Sequence, residues 1–136
     1  MGRQYLALYG LALLAMLPLD IIWLAFVART FYQSQIGALL LESPSMVPAI
    51  AFYLLYGAGV VFFVLLPAAR SGDWTTALMN GAFLGLVAYG TYDLTNLATL
   101  KGFSTTVALV DLAWGTFMTA TASTAAYFVA RFLKVI

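Results

Sequence analysis

Four apolar runs, roughly Tyr5–Ala28, Met46–Ala69, Trp74–Leu97 and Ser104–Ala130, leave this chain few ways to fold. Each holds at least about twenty residues, and at about 1.5 Å per residue each reaches across a hydrocarbon core of about 30 Å. The composition agrees: 64% of residues are hydrophobic and 8% are charged, where a soluble domain carries about 25% charged residues. The expectation is an all-α membrane protein, a single transmembrane domain over residues 1–136 built as a four-transmembrane-helix bundle with spans at about 5–28, 46–69, 74–97 and 104–130. Arg3 before the block Leu6–Leu17 imitates a signal peptide, but the run continues too far and no small-x-small cleavage site follows, so it reads as a retained helix.

An even number of spans puts both termini on one side. Arg3, Arg70, Arg131 and Lys134 flank that side, against Arg29 and Lys101 on the other. The positive-inside rule therefore favours cytoplasmic N- and C-termini. Between the first two spans, "RTFYQSQIGALLLESPS" is too polar to cross, yet Phe31, Tyr32, Ile36, Leu39 and Leu40 fit one side of a short interfacial helix that Pro44 ends. The other connections, "RSGDW" and "LKGFS", are tight turns, so the second, third and fourth spans should neighbour one another in order.

Inside the apolar runs, three acids demand an account. Asp20 lies eight residues before Ala28, Asp93 eight before Lys101 and Asp111 seven after Ser104, which puts all three about 10–12 Å below the outer boundary. Each has company at helical spacing: Trp23 with Asp20; Tyr89, Tyr92 and Asn96 with Asp93; Trp114 with Asp111. A carboxyl facing lipid is penalised by a few kcal/mol, so these faces should turn inward to a shared site near the outer leaflet. Three close carboxyls with no cation at their depth cannot all be charged, and one that keeps its proton donates a hydrogen bond. Asp20, Trp23, Tyr89, Tyr92, Asp93, Asn96, Asp111 and Trp114 are thus the candidates for binding a ligand or handling a proton. The bland reading is polar glue between helices, worth about 0.6 kcal/mol per bond.

Two segments also share a pattern. "DIIWLAF" and "DLAWGTF" both read D-x-x-W-x-x-F, on spans that run antiparallel, as in the inverted repeats of transporters. Gly81 and Gly85 on the third span, with Gly115, Thr119 and Ser123 on the fourth, would let those two helices approach closely, within one chain or across a dimer.

Missing residue types narrow the chemistry. With neither histidine nor cysteine, the chain has no ligands for a histidine-rich iron site, a Glu-x-x-His di-iron bundle or a thiolate metal site, and none of the usual ones for haem. No metal and no cofactor is expected. The net charge of +1 offers no field for nucleic acid. Acid–base, hydrogen-bonding and hydrophobic binding chemistry remain.

"YGTYDLTNLATLKGF" together with "LVDLAWGTF", and with "ARTFYQSQIG" and "FYLLYGAG" upstream, closely resembles the DUF2177 family of small bacterial integral membrane proteins over essentially the whole chain. The resemblance implies four helices in the bacterial cytoplasmic (inner) membrane, and an association with enzymes that modify lipids. It also leads to an expectation of tryptophan after the Lys-Gly turn, where Phe103 stands. Three functional readings follow: a protein that binds or helps modify a membrane lipid or other hydrophobic small molecule, alone or with a membrane enzyme partner; a proton-coupled small transporter working as a homodimer; and a structural subunit of a membrane complex.

Overall fold

The computed structural model describes residues 2–136. Among them every regular element is helical: α1 (Gly2–Trp23), α2 (Arg29–Ile36), α3 (Met46–Val60), α4 (Leu66–Ser71), α5 (Trp74–Thr99) and α6 (Thr105–Phe132). A π-helical turn at Leu24–Ala28 joins α1 to α2, and another at Val61–Leu65 joins α3 to α4. The chain therefore folds into four long helical rods. Two of them, Gly2–Leu39 and Met46–Ser71, are long and apolar enough to cross a membrane, with mean hydropathies of 2.3 and 2.4. The other two, α5 and α6, have the length but interleave Thr, Asn, Asp and Tyr with their apolar residues.

A short helix stands where one was expected after the first span, with a difference. No glycine or proline stands between Trp23 and Ile36, so nothing stops the helix there, and α2 continues α1 through the π turn instead of following a loop. It ends at Gly37–Leu39, a single 3₁₀ turn.

Local chemistry sets the other boundaries. The Asp73 side chain caps α5 by accepting from the Thr75 amide at 2.9 Å and from the Thr75 hydroxyl at 2.7 Å. Those bonds, the hydroxyl's first, hold this exposed carboxyl below its ordinary range. The Ser104 hydroxyl caps α6 through the Val107 amide. Gly72 and Gly102 turn the chain at φ of 70° and 77°, a conformation that disfavours any side chain. Pro67 has no N–H to give the carbonyl of Phe63 four residues back; Asn80 of α5 donates to it instead, at 3.1 Å.

The tightest packing is between α5 and α6. A Cβ on Gly85 would lie 2.1 Å from the Gly115 carbonyl oxygen, one on Gly81 2.9 Å from that of Thr119, and one on Gly115 2.2 Å from the Tyr89 ring. The glycines expected to bring these spans together do so within one chain. The main core, including Leu8, Met16, Val60, Leu65, Met118 and Tyr127, runs along the inner sides of α1, α3 and α6. The two termini share one end of the molecule: Gln4 donates to the Val135 carbonyl at 3.4 Å, and Arg131 reaches the Gly72 carbonyl in the turn before α5.

Candidate functional site

The opposite end holds the acids. Helical phase turns Asp93 of α5 and Asp111 of α6 into the seam that the glycines narrow, where they are 0% and 5% exposed. The two carboxyls face each other at close range, yet neither Asp93 oxygen has a hydrogen-bond partner of normal geometry. Such an orphaned buried group costs about 1–3 kcal/mol, and more when charged. Among the described residues no cation is bonded to the pair.

Asp111 is better provided. The Tyr32 hydroxyl on α2 donates to its Oδ1, and the same hydroxyl accepts from Trp23 Nε1 at 3.1 Å. Trp23 in turn stacks on Trp114, ring centroids 4.3 Å apart and planes 10° apart. The two D-x-x-W segments thus meet through their tryptophans, and the Trp23–Tyr32–Asp111 chain fastens α2 to the N-terminal part of α6. Further contacts hold it there: Ser104 donates to the Gln35 side chain at 2.8 Å, and Ile36 packs in a small cluster with Phe103, Val107 and Ala108. Phe103 is buried and meets the Tyr92 ring edge-on at 6.1 Å.

Asp20 stands apart from the pair. It is half-buried on α1 and faces Tyr53 of α3, beside a cleft of about 300 Å³ bounded by Leu17, Ile21, Ile50 and Tyr53. Tyr89 lies between the two sets, within electrostatic range of Asp20, Asp93 and Asp111. The expected single cluster of three carboxyls is resolved into a close pair and an outlier with a tyrosine between them. Tyr92 is largely exposed, with Asn96 beside it, and both form the rim rather than the hydrogen-bonded centre.

Beside Asp111 a cavity of about 420 Å³ opens sideways between α3 and α5, walled by Phe52, Ala88, Tyr89, Thr91 and Tyr92. Its lining is mostly apolar and includes one carboxyl, that of Asp111, a form suited to a hydrophobic molecule with one polar group. Among the described residues no cluster of acidic, histidine or cysteine side chains has a metal-binding arrangement.

Sequence reasoning missed Tyr32, Tyr53 and Asn80 as site or support residues. The ring of Tyr32 fits the apolar side of the short helix, and its hydroxyl finds Asp111 only because α2, continuing α1, runs on beside the N-terminal end of α6. Asn80 had a readable signal, since Pro67 frees the carbonyl of the fourth residue before it.

Long apolar helices with two carboxyls buried between them and half-buried indoles beside them define a helical membrane protein. The chain belongs to the DUF2177 family, described as predicted membrane proteins, whose model matches residues 5–128. No curated protein and no solved structure matches it.

Proposed function

We propose that this is a four-span protein of the bacterial cytoplasmic membrane, with cytoplasmic termini, that holds a lipid or another hydrophobic small molecule by its polar end at the Asp93–Asp111 pair in the outer leaflet. One observation carries the reading: a buried carboxyl, Asp111, lines a mostly apolar cavity. A molecule entering from the bilayer keeps its chain among Phe52, Tyr89 and Tyr92 and offers a hydroxyl or amine to Asp111. The neighbouring Asp93, unpartnered in the free protein, supplies a second acceptor or, when protonated, a donor. Tyr32 and Trp23 fix the Asp111 carboxyl and close the site from above. Whether the bound molecule is then altered by a membrane enzyme partner depends on groups outside this chain.

Mass spectrometry of molecules co-purifying with the full chain tests this. Wild type retains a hydrophobic ligand, and both Asp111→Asn and Asp93→Asn lose most of it while their thermal stability holds or rises, because an amide removes the cost of burying an acid. Equal retention by wild type and both variants would reduce the pair to polar glue in a structural subunit. The sealed, unpartnered Asp93 also favours a second reading, proton-coupled transport by a dimer. In that case the amide variants abolish proton-driven efflux of organic cations, and no lipid co-purifies with the wild type.

A further inference from the structure

A second groove lies at the other end of the molecule, between α1 and the rod formed by α3 and α4. Its volume is about 580 Å³, larger than the cavity beside Asp111, and its walls include Leu6 and Tyr9 from α1 and Ala58, Phe62, Leu66 and Arg70 from the rod. Three observations bear on its occupant. First, Ala58 and Arg70 are twelve residues apart, about 18 Å of helix, which is a little more than half of a 30 Å hydrocarbon core and so the depth of one leaflet. A free anion has no use for so long an apolar trough. Second, Arg70 stands at its open end and forms no hydrogen bond or ion pair among the described residues. The nearest acid in sequence, Asp73, is already engaged by Thr75; of the other cations at this end, Arg131 is bonded to Gly72 and Tyr127, and Arg3 and Lys134 do not line the groove. Third, the wall runs through the π turn, with Phe62 in that turn and Leu66 just after it. Such turns displace side chains from α-helical phase and recur at ligand sites.

We propose that this groove binds one anionic phospholipid of the leaflet on the side of the termini, its acyl chain against Leu6, Ala58 and Phe62 and its phosphate on the Arg70 guanidinium. The charge complementarity is that of the one guanidinium lining the groove, Arg70, for a phosphate at the headgroup level. The site rests on the rods crossing a bilayer and is independent of the acid pair and its ligand.

Native mass spectrometry of the full chain in mild detergent provides the test, with phosphatidylglycerol and phosphatidylcholine of identical acyl chains as probes. Phosphatidylglycerol is retained about fivefold more than phosphatidylcholine, the factor expected from one interfacial cation. Arg70→Gln removes that preference, whereas Lys101→Gln at the opposite end keeps it. Ala58→Trp, which fills the trough, lowers retention of both lipids, and excess inorganic phosphate displaces neither. Equal retention of the two lipids by wild type, loss of preference in Lys101→Gln as well, or displacement by inorganic phosphate would each overturn the proposal. Arg70 is exposed and supports no other group, so its variant folds and reads the headgroup contact. Should Ala58→Trp fail to fold, Leu6→Gln, at an exposed apolar wall position, takes its place with the same expected loss.

Discussion

Tyr32 is the residue on which the outer site depends, because a single hydroxyl accepts from Trp23 and donates to Asp111. Removing it orphans one donor and one carboxyl oxygen at once. The helix positions of Asp93, Asp111, Trp23 and Trp114 were legible from spacing alone, since i, i+3 and i+4 neighbours share a face whatever the helix packs against. Tyr32 was not, because its partner lies 79 residues away in sequence and only the packing of α2 on the start of α6 brings them together. The same holds for Tyr53 opposite Asp20. Tyr32→Phe keeps the ring and deletes the bond, and should cost about 1–3 kcal/mol in thermal unfolding in detergent. Hydrogen exchange locates the effect: amides of α2 exchange faster, and those of α5 below Tyr89 do not change. Uniform loss of protection would mean that the hydroxyl supports the whole fold and not the strap.

At the scale of the element, the α5–α6 pair gives the acids their geometry, since two helices separated by ordinary side chains could not bring carboxyls on both backbones so close. Gly85 packs on the Gly115 backbone, and Gly115 in turn receives the Tyr89 ring. Small residues four apart in both spans made this contact readable in the sequence, although they fit a dimer equally well, and only the structure assigns them to one chain. Gly85→Leu should therefore separate α5 from α6 and cost about 1–3 kcal/mol or more, without changing the oligomeric state measured by light scattering in mild detergent. Gly59 is the control: a Cβ there meets nothing within 4 Å, so Gly59→Ala should not destabilise the fold, whereas Gly85→Ala already should. Loss of a dimer with intact monomer stability in Gly85→Leu would instead place the glycines between chains.

For the whole molecule, the same division into ends decides which leaflet each site meets. The termini, the Gly72 turn and Arg70 lie at one end, and α2, Lys101 and the acid pair at the other. Helix length and hydropathy read from sequence gave the four rods, but α5 and α6 are polar enough that neither passes as a span by composition alone. Their polar groups are partly hidden in the mutual seam: Asp93, Asp111, Thr119 and Ser123 are all buried, and exposed Thr91, Thr95 and Thr99 return their hydroxyls to carbonyls of their own helix. A hairpin that buries or internally bonds its polar groups this way presents less polarity to lipid than its composition suggests. It should enter the bilayer as a unit, with cytoplasmic ends where Arg3, Arg70, Arg131 and Lys134 cluster. Reporter fusions after Ile136 should be active only in the cytoplasm and fusions at Gln35 only outside it. A fusion truncated after Leu100 should report the outer side only weakly, because α5 without α6 exposes Asp93 to lipid. An external C-terminus would exchange the leaflets of the two sites, and strong outer reporting from the Leu100 truncation would mean that α5 crosses without its partner and that the seam is not what makes it insert.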